Sequence, residues 1–444
     1  MRKILTLNRF ASTVLLLIGG VFLGYSGFVI DQLQYAPMAE RPGEVSVGME
    51  PALFNTNGEF SFDVPDSVTS PDDGMKYVVT TVRTGAFYGA GYWDEYGREF
   101  TWNRRILKVT LPSTVTRIES DAFNTEDYPA YGSIPYGVDT LEINCARLTR
   151  LFEYAFRRCN FKEFNFNLLP DNIDSIGTSV FHGNVRLEKV EWPEYLTEIP
   201  DWMFYWNRRL KSLKLPPTLK KIGQSAFGDC YLDTLTIPSG VEIGRKAFEG
   251  NMDLKELTLG EDCILGSGAF IGCGRLTHVT LPRGTRFITD PYPGNIFGYW
   301  RNSYGRIDID RDVIFDVPDI RLICMEVIGE EGFDVYYHTS TPQETESAKL
   351  FSDTIYKDGI LYVEGEEGVK NARNTFPWNK FVNILPIEGT ADPSGVAEAG
   401  LSDNESVSEV YSLDGIRLSK KISELGPGCY IVRKGSKVNK IVVN

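Results

Sequence analysis

Between Leu210 and Phe227 the chain sets apolar residues at Leu210, Leu213 and Leu215, follows them with Pro216, and then places Leu219, Ile222, Ala226 and Phe227. Twenty-three residues earlier the same slots hold Leu187, Val190, Trp192, Pro193, Leu196, Ile199, Met203 and Phe204. The template returns at Ile106, Val109, Leu111, Pro112, Val115, Ile118, Ala122 and Phe123, and again in shortened form after Leu232, Leu254 and Leu276. Its closing aromatic falls at Phe87, Phe123, Phe156, Phe181, Phe204, Phe227, Phe248, Phe270 and Phe297, with spacings of 36, 33, 25, 23, 23, 21, 22 and 27 residues. A period of this length excludes a single compact core and requires stacked units.

Each part of the template has a physical reading. The last two apolar residues of Leu-x-x-Leu-x-Leu lie two apart and share one side of a short strand. The Pro that follows cannot donate to a ladder and ends the strand. The Ile and Ala-Phe return the chain along the opposite wall. One turn encloses nothing, whereas stacked turns bury each Leu and each Phe against the next. The central spacings match those of leucine-rich repeats, and the expected fold is a mainly β repeat solenoid with short parallel strands.

Three residues after an anchor Phe stands Cys159, Asn184, Asn207, Cys230, Asn251 or Cys273. Asn and Cys share an inward slot, so Cys159, Cys230 and Cys273 are expected as buried free thiols. A disulfide to a neighbouring turn is the alternative, and no second ligand recurs beside them to hold a metal. Cys145, Cys263, Cys324 and Cys429 carry no assignment.

The unit Ile222-Gly223-x-x-Ala226-Phe227-x-x-Cys230, continuing through Leu232, Leu235 and Ile237 to Pro238, resembles the BspA-type leucine-rich repeats of anaerobic gut and oral bacteria of the Bacteroidota. The resemblance spans roughly residues 74 to 385. Asp73-Gly74 with Tyr77-Val78-Val79-Thr80 looks like the hairpin leading into such an array, and Leu361-Tyr362-Val363 with Phe376-Pro377-Trp378 and Phe381 looks like its closing segment. The resemblance implies a cell-surface protein with an adhesin-like role toward matrix proteins. The tail, with Val410-Tyr411, Asp414-Gly415 and Gly428-x-Tyr430-x-Val432, resembles the latter part of a type IX secretion sorting domain.

The expected organisation is an export signal or anchor over 1–39, an N-terminal hairpin cap over 40–73, repeats over 74–300, terminal repeats and a closing cap over 301–385, a linker over 386–405, and a small all-β sorting-like unit over 406–444. Arg2, Lys3 and Arg9 ahead of an apolar run from Phe10 to Ile30 have the layout of a signal peptide. The run is also nearly long enough to span a bilayer, so membrane contact is expected only if this segment is not cleaved.

A net charge of −14 argues against nucleic acid as a partner. Of the three histidines, His182, His278 and His338, the first two have no nucleophile at a suggestive spacing and are expected at the surface. Asp308, Asp310, Asp312 and Asp319 follow a calcium-loop count, but Val313 stands where that loop needs Gly. They are expected as acids on the exposed face of a strand. No Gly-rich phosphate loop is present, and no enzyme activity, cofactor or metal is expected.

Binding is the expectation that remains, with an extracellular protein as partner and a glycan as the alternative. The outward positions of the strands, Lys189, Glu191, Ser212, Lys214, Thr234, Thr236, Glu256, Thr258, His278 and Thr280, form a mixed polar row suited to protein recognition. Aromatics gather after the anchor Phe at Tyr88, Tyr92 and Trp93, at Trp202, Tyr205 and Trp206, and at Tyr299 and Trp300. They would serve as a platform for sugar rings, or else pack between turns.

Overall fold

A computed structural model describes residues 14–18, 21–25, 27–49, 58–87, 90–93, 100–124, 137–170, 175–276, 278–288, 296–297, 305–311, 313, 333–345, 350–387, and the strand segments 409–411, 417–418, 428–434 and 437–443. Three backbone ladders wrap one continuous apolar core.

The Leu-x-x-Leu-x-Leu segments build the first ladder. Thr234–Ile237 and Glu256–Leu259 pair in parallel with Thr234 opposite Glu256 and Ile237 opposite Leu259. Both alternate exposed and buried residues, so Leu235, Ile237, Leu257 and Leu259 enter the core while Thr234, Thr236, Glu256 and Thr258 face out. Towards the C-terminus a second parallel run on this wall passes through His278–Leu281, Gly305–Asp310, Phe333–His338, Ile360–Glu364 and Asn383–Ile387.

The second ladder comprises two-residue strands centred on the Ile of the template. Glu198–Ile199, Lys221–Ile222, Glu242–Ile243, Ile264–Leu265 and Arg286–Phe287 pair in parallel, with Ile199 opposite Ile222 and Ile222 opposite Ile243. Lys76–Val82, Arg117–Ile118, Arg150–Leu151 and Ser175–Ile176 form the same wall nearer the N-terminus.

The third ladder has no strand geometry and runs through the Ala-Phe turn. The N–H groups of Ser225, Phe227 and Asp229 donate to the carbonyls of Arg245, Ala247 and Glu249 at 3.0, 2.8 and 2.7 Å. Trp202, Phe204 and Trp206 donate likewise to Gln224, Ala226 and Gly228. A tight turn that presents three N–H groups along the stack needs left-handed residues on both sides of the Phe. The slot two before it holds Asp121, Tyr154, Ser179, Trp202, Ser225 and Lys246, with φ between 48° and 58°. The slot two after it holds Arg158, Trp206 and Asp229, or Gly183, Gly250 and Gly272. Side chains here lie over the next turn: a Cβ on Gly228 would meet the Tyr205 ring at 2.7 Å.

Inside, the anchor phenylalanines are fully buried and stack along the axis. Phe204 and Phe227 lie 5.4 Å apart at 3°, Phe227 and Phe248 5.3 Å at 6°, and Phe248 and Phe270 5.4 Å at 3°. Asn184, Asn207 and Asn251, with Cys159, Cys230 and Cys273, hold the inward slot beside them. Asn207 Nδ2 donates to the carbonyls of Phe181 and Phe204 at 3.0 and 2.6 Å, and Cys230 Sγ reaches Phe204 O at 3.3 Å. These three cysteines are free thiols, as are Cys145 and Cys263, whose sulfurs reach the carbonyls of Pro112 and Pro238.

Antiparallel strands at Phe28–Ile30, Leu33–Pro37 and Glu44–Met49 close the N-terminal end. Glu44–Met49 already runs parallel to Lys76–Val82, and Gly58–Asp63 parallel to Phe100–Leu111, so parallel pairing begins ahead of residue 74. Ser67–Thr69 forms a hairpin with Lys76–Val82. Arg83 is buried here, donating to Gln34 O and Oε1 at 2.9 and 2.8 Å. At the other end, helices Asp353–Asp358 and Gly365–Asn374 replace the second wall. Trp378 seals the core, its ring 4.6 Å from Tyr337 and its Nε1 donating to Gln343 O at 2.8 Å. Glu409–Tyr411, Arg417–Leu418, Gly428–Lys434 and Lys437–Val443 make a separate four-stranded antiparallel sheet. No helix among the described residues is long and apolar enough to cross a membrane.

Candidate binding face

Because side chains alternate along each strand, every parallel pairing brings outward residues into rows. One row runs Thr280, Asp308, Tyr336, Tyr362 and Leu385, each directly opposite the next. Asp308 is 7% exposed, which corrects its reading as a solvated acid. Its Oδ2 lies 2.5 Å from His278 Nε2 and its Oδ1 3.3 Å from His338 Nε2, so one carboxylate ties the two flanking strands. Tyr336 and Tyr362 stack at 4.4 Å and 12° beside it, and Leu385 at the row's end is 45% exposed. Asp310 continues the alternation, while Asp312 and Asp319 lie outside the described residues. Among the described residues no group of three His, Cys, Asp or Glu side chains is arranged to hold a metal ion.

The outward residues anticipated from the sequence share this wall. Lys189, Lys214, Glu256 and His278 are exposed and Glu191 is half-buried. Lys189 and Glu191 pair with each other, and that contact raises the Lys189 ammonium above its ordinary pKa. Lys214 and Glu256 remain solvated, with the hydroxyls of Ser212, Thr234, Thr236 and Thr258 between them. Other surface charges close against one another across turns: Arg283 with Glu261 at 2.6 Å, Arg275 with Asp253 at 3.1 Å, Lys108 with Glu142 at 2.8 Å.

Tyr205 and Trp206 sit elsewhere, on the third ladder. Tyr205 donates its hydroxyl to Asp229 Oδ2 at 2.7 Å and meets Trp202 edge-on at 4.9 Å. The Arg208 guanidinium lies 5.0 Å above the Trp206 ring. His182 is half-buried between Tyr154 and Tyr205, not at the surface as its position after an anchor Phe had implied. Burial, reinforced by the Arg157 and Arg158 charges, lowers its pKa to about 4. Tyr299 and Trp300, Tyr88, and the side chains of Tyr92 and Trp93 lie outside the described residues.

Tyr336, Tyr362 and the pairing of Asp308 with two histidines were missed from the sequence. Alternation in Phe333-Asp-Val-Tyr-Tyr-His338 marks Asp334, Tyr336 and His338 as one outward set. The template had lapsed there, and nothing in the sequence fixed the register that sets them against Asp308.

Residues 136–255 and 241–292 match the sequence profile of the BspA type leucine rich repeat region, in six copies. The fold is a leucine-rich-repeat solenoid. No match was found among curated proteins. The solenoid is similar to the pneumococcal vaccine antigen PcpA at 17% identity, covering 82% of this chain and 99% of that one, with a TM-score of 0.41. It is also similar to a leucine-rich repeat protein from Bacteroides ovatus, at 18% identity over 70% and 94% of the two chains, TM-score 0.27. A leucine rich cell surface protein from Faecalibacterium prausnitzii is 14% identical over 82% and 95%, TM-score 0.33.

Proposed function

We propose that this solenoid is a non-catalytic recognition protein of the cell surface or its surroundings, exported through its N-terminal segment, and that its outward strand face binds another extracellular protein. The observation that carries this reading is the row Thr280, Asp308, Tyr336, Tyr362 and Leu385, in the sheet that neighbours the polar row from Ser212 to Glu256. It presents tyrosines, a rigidly held carboxylate and an exposed Leu on a parallel ladder whose backbone does not have to reorganise on binding. Preorganised aromatic anchors within a polar surround are the usual composition of protein-binding patches.

The test is a binding screen of the full chain against extracellular-matrix proteins and a glycan panel, repeated with Tyr362→Ala and with the double charge reversal Lys214→Glu, Glu256→Lys. A protein ligand whose retention falls at least tenfold in one of these variants, with circular dichroism unchanged, supports the reading. Protein ligands held equally by the wild type and both variants would remove it.

A second reading, glycan recognition, is favoured by Trp202 and Trp206. These occupy both left-handed slots of a single turn, at φ 58° and 69°, where the adjacent turns carry Ser179, Gly183, Ser225 and Asp229. Bulky side chains are costly in that conformation, and strain of this kind gathers at ligand sites.

A further inference from the structure

Along much of the first wall a turn donates backbone hydrogen bonds to the turn before it. Asp139 N reaches Ile106 O at 3.0 Å, Glu188 N reaches Lys162 O at 2.8 Å, and Lys255 N reaches Asp233 O at 2.9 Å. Among the described residues three junctions of this wall lack a strand pair, and one of them opens into a groove. There Asn160 N still bonds Val138 O at 3.0 Å, but beyond it Thr140–Ile143 and Glu163–Asn165 form no pair. Among the described residues Thr140–Ile143 is paired only with Phe100–Leu111, and Glu163–Asn165 only with Lys189–Glu191. Lys189–Glu191 with Ser212–Leu213, and Glu256–Leu259 with His278–Leu281, are also unpaired among the described residues, yet both couples stay in closer contact.

The sequence explains the parting. Where the turn ending at Phe227 uses Leu210, Leu213 and Leu215, this one uses Phe161, Phe164 and Phe166. Their rings pack into one cluster: Phe161 to Phe164 at 6.1 Å, Phe164 to Phe181 at 4.5 Å, Phe166 to Trp192 at 5.3 Å. Three aromatic rings take more length along the stack than three leucines and hold this turn away from its predecessor. Asn165 then caps a short 3₁₀ turn over Phe166–Leu168, which ends the strand.

The result is a groove of about 620 Å³ between the two strands, lined by residues of both together with Arg105, Asp139, Asn160 and Leu168. That volume lies within the range of ordinary ligand sites. Two strand edges border it, each presenting N–H and C=O groups on the side where a neighbouring strand would stand. Leu168, 53% exposed, lies at the C-terminal end of the groove, and the ion pair of Arg105 with Asp139 at 2.5 Å marks the N-terminal end. Thr140, Lys162 and Glu163 line the course between with both signs of charge.

We infer that this groove is a peptide-binding site, taking an extended segment of a partner protein as an added strand between Thr140–Ile143 and Glu163–Asn165. The chemistry matched is that of backbone: a peptide supplies alternating N–H and C=O at strand spacing, whereas a sugar chain does not. Both charge signs in the lining exclude a polyanion as the preferred ligand, and Leu168 selects an apolar residue at one end. The inference rests on protein recognition as the function and adds a second site to it.

Panning the full chain with a phage-displayed library of random dodecapeptides tests the groove directly. Recovered peptides, made synthetically, are expected to bind the wild type. They should bind at least tenfold more weakly to Thr140→Trp and to Lys162→Trp, which fill the groove from exposed positions. Methylating alternate peptide nitrogens should weaken binding tenfold as well, and bound peptide should slow amide exchange at 140–143 and 163–165. Recovery of no peptide overturns the inference, as do peptides held equally by both tryptophan variants or unaffected by methylation, or a groove filled by glycan alone. Protein ligands lost with the strand-face variants while the groove takes no peptide would sink this inference and leave the face reading standing. The reverse pattern would do the opposite.

Discussion

Asn251 Nδ2 donates to the carbonyl oxygen of Phe227, in the turn before its own, at 2.9 Å. The same nitrogen donates to Phe248 O at 2.9 Å, and Asn251 Oδ1 accepts from Leu232 N at 3.2 Å. One side chain therefore satisfies buried backbone groups in adjacent turns. Cys273, in the equivalent slot, reaches Phe248 O of the preceding turn at 3.4 Å and has no oxygen to accept as Asn251 Oδ1 does. Asn251→Ala removes a partner from two carbonyls and an amide, of which Phe248 O keeps Cys273 Sγ, and should cost about 2–6 kcal/mol, from a penalty of about 1–3 kcal/mol for each of the other two buried groups. Asn251→Cys should cost clearly less. Urea unfolding of the pair checks the order, and equal losses would show that the slot is filled for volume alone.

Burial pushes the thiols of Cys145, Cys230 and Cys273 up to about 12, and raises those of Cys159 and Cys263. All five should therefore be inert to a thiol reagent at pH 8 until the chain unfolds. Their linkage has a definite sign. Between the ordinary thiol value of 9.0 and about 12, the unfolded chain loses these protons and the folded chain keeps them. Stability is thus full below pH 9 and falls as pH rises, by about 1.4 kcal/mol per unit per thiol. Cys273→Ala should flatten the alkaline limb of a melting profile, and an unchanged slope would contradict the burial.

His182 acts at the opposite end of the scale. With its folded pKa lowered to about 4, the unfolded chain takes up a proton near pH 6.5 that the folded chain refuses. Its contribution is complete above pH 6.5 and is lost as pH falls towards 4, by up to about 3 kcal/mol. His182→Gln should remove that part of the acid limb. A profile that keeps its shape in the variant would place His182 in water.

Truncating an anchor tests the stack as a whole. Phe227 is fully buried between Phe204 and Phe248, so Phe227→Ala should cost about 3–5 kcal/mol. Since each turn is supported only by its neighbours, amide exchange should rise in the turns ending at Phe204 and Phe248 before it rises in the terminal turns. Uniform exchange along the chain would show that the array melts as a single unit.

The walls of this solenoid were legible because their causes are local. A Leu two residues from the next fixes a strand's inner face, and a Pro after it fixes the end. The inward slot was legible for the same reason, since Asn and Cys alternate there turn after turn. What escaped depends on neighbouring turns together. Asp308 reads as a solvated acid until register brings His278 and His338 to either side of it. His182 reads as exposed until Tyr154 and Tyr205 close over it from the turns on each side. The substitution of Phe161, Phe164 and Phe166 for leucines was visible, but its effect on the ladder follows only once ring volume is set against the spacing of turns.

Trp202 and Trp206 divide the two readings of the aromatic ridge. If they serve the fold, replacing these half-buried rings removes packing against Tyr205 and Arg208 and should cost about 2 kcal/mol or more. If they serve a ligand, the residues of adjacent turns should be tolerated at the same slots. Ser179 and Gly183 occupy those slots one turn earlier, at φ 57° and 73°. Trp206→Gly relieves a left-handed residue, which carries about 1–2 kcal/mol of strain, whereas Trp202→Ser keeps a Cβ in the slot as Ser179 does. The glycan reading therefore predicts variants with stability within about 1 kcal/mol of the wild type and with retention on polysaccharide affinity gels abolished. Variants that unfold early, or that are retained as well as the wild type, would assign both tryptophans to the wall of the solenoid.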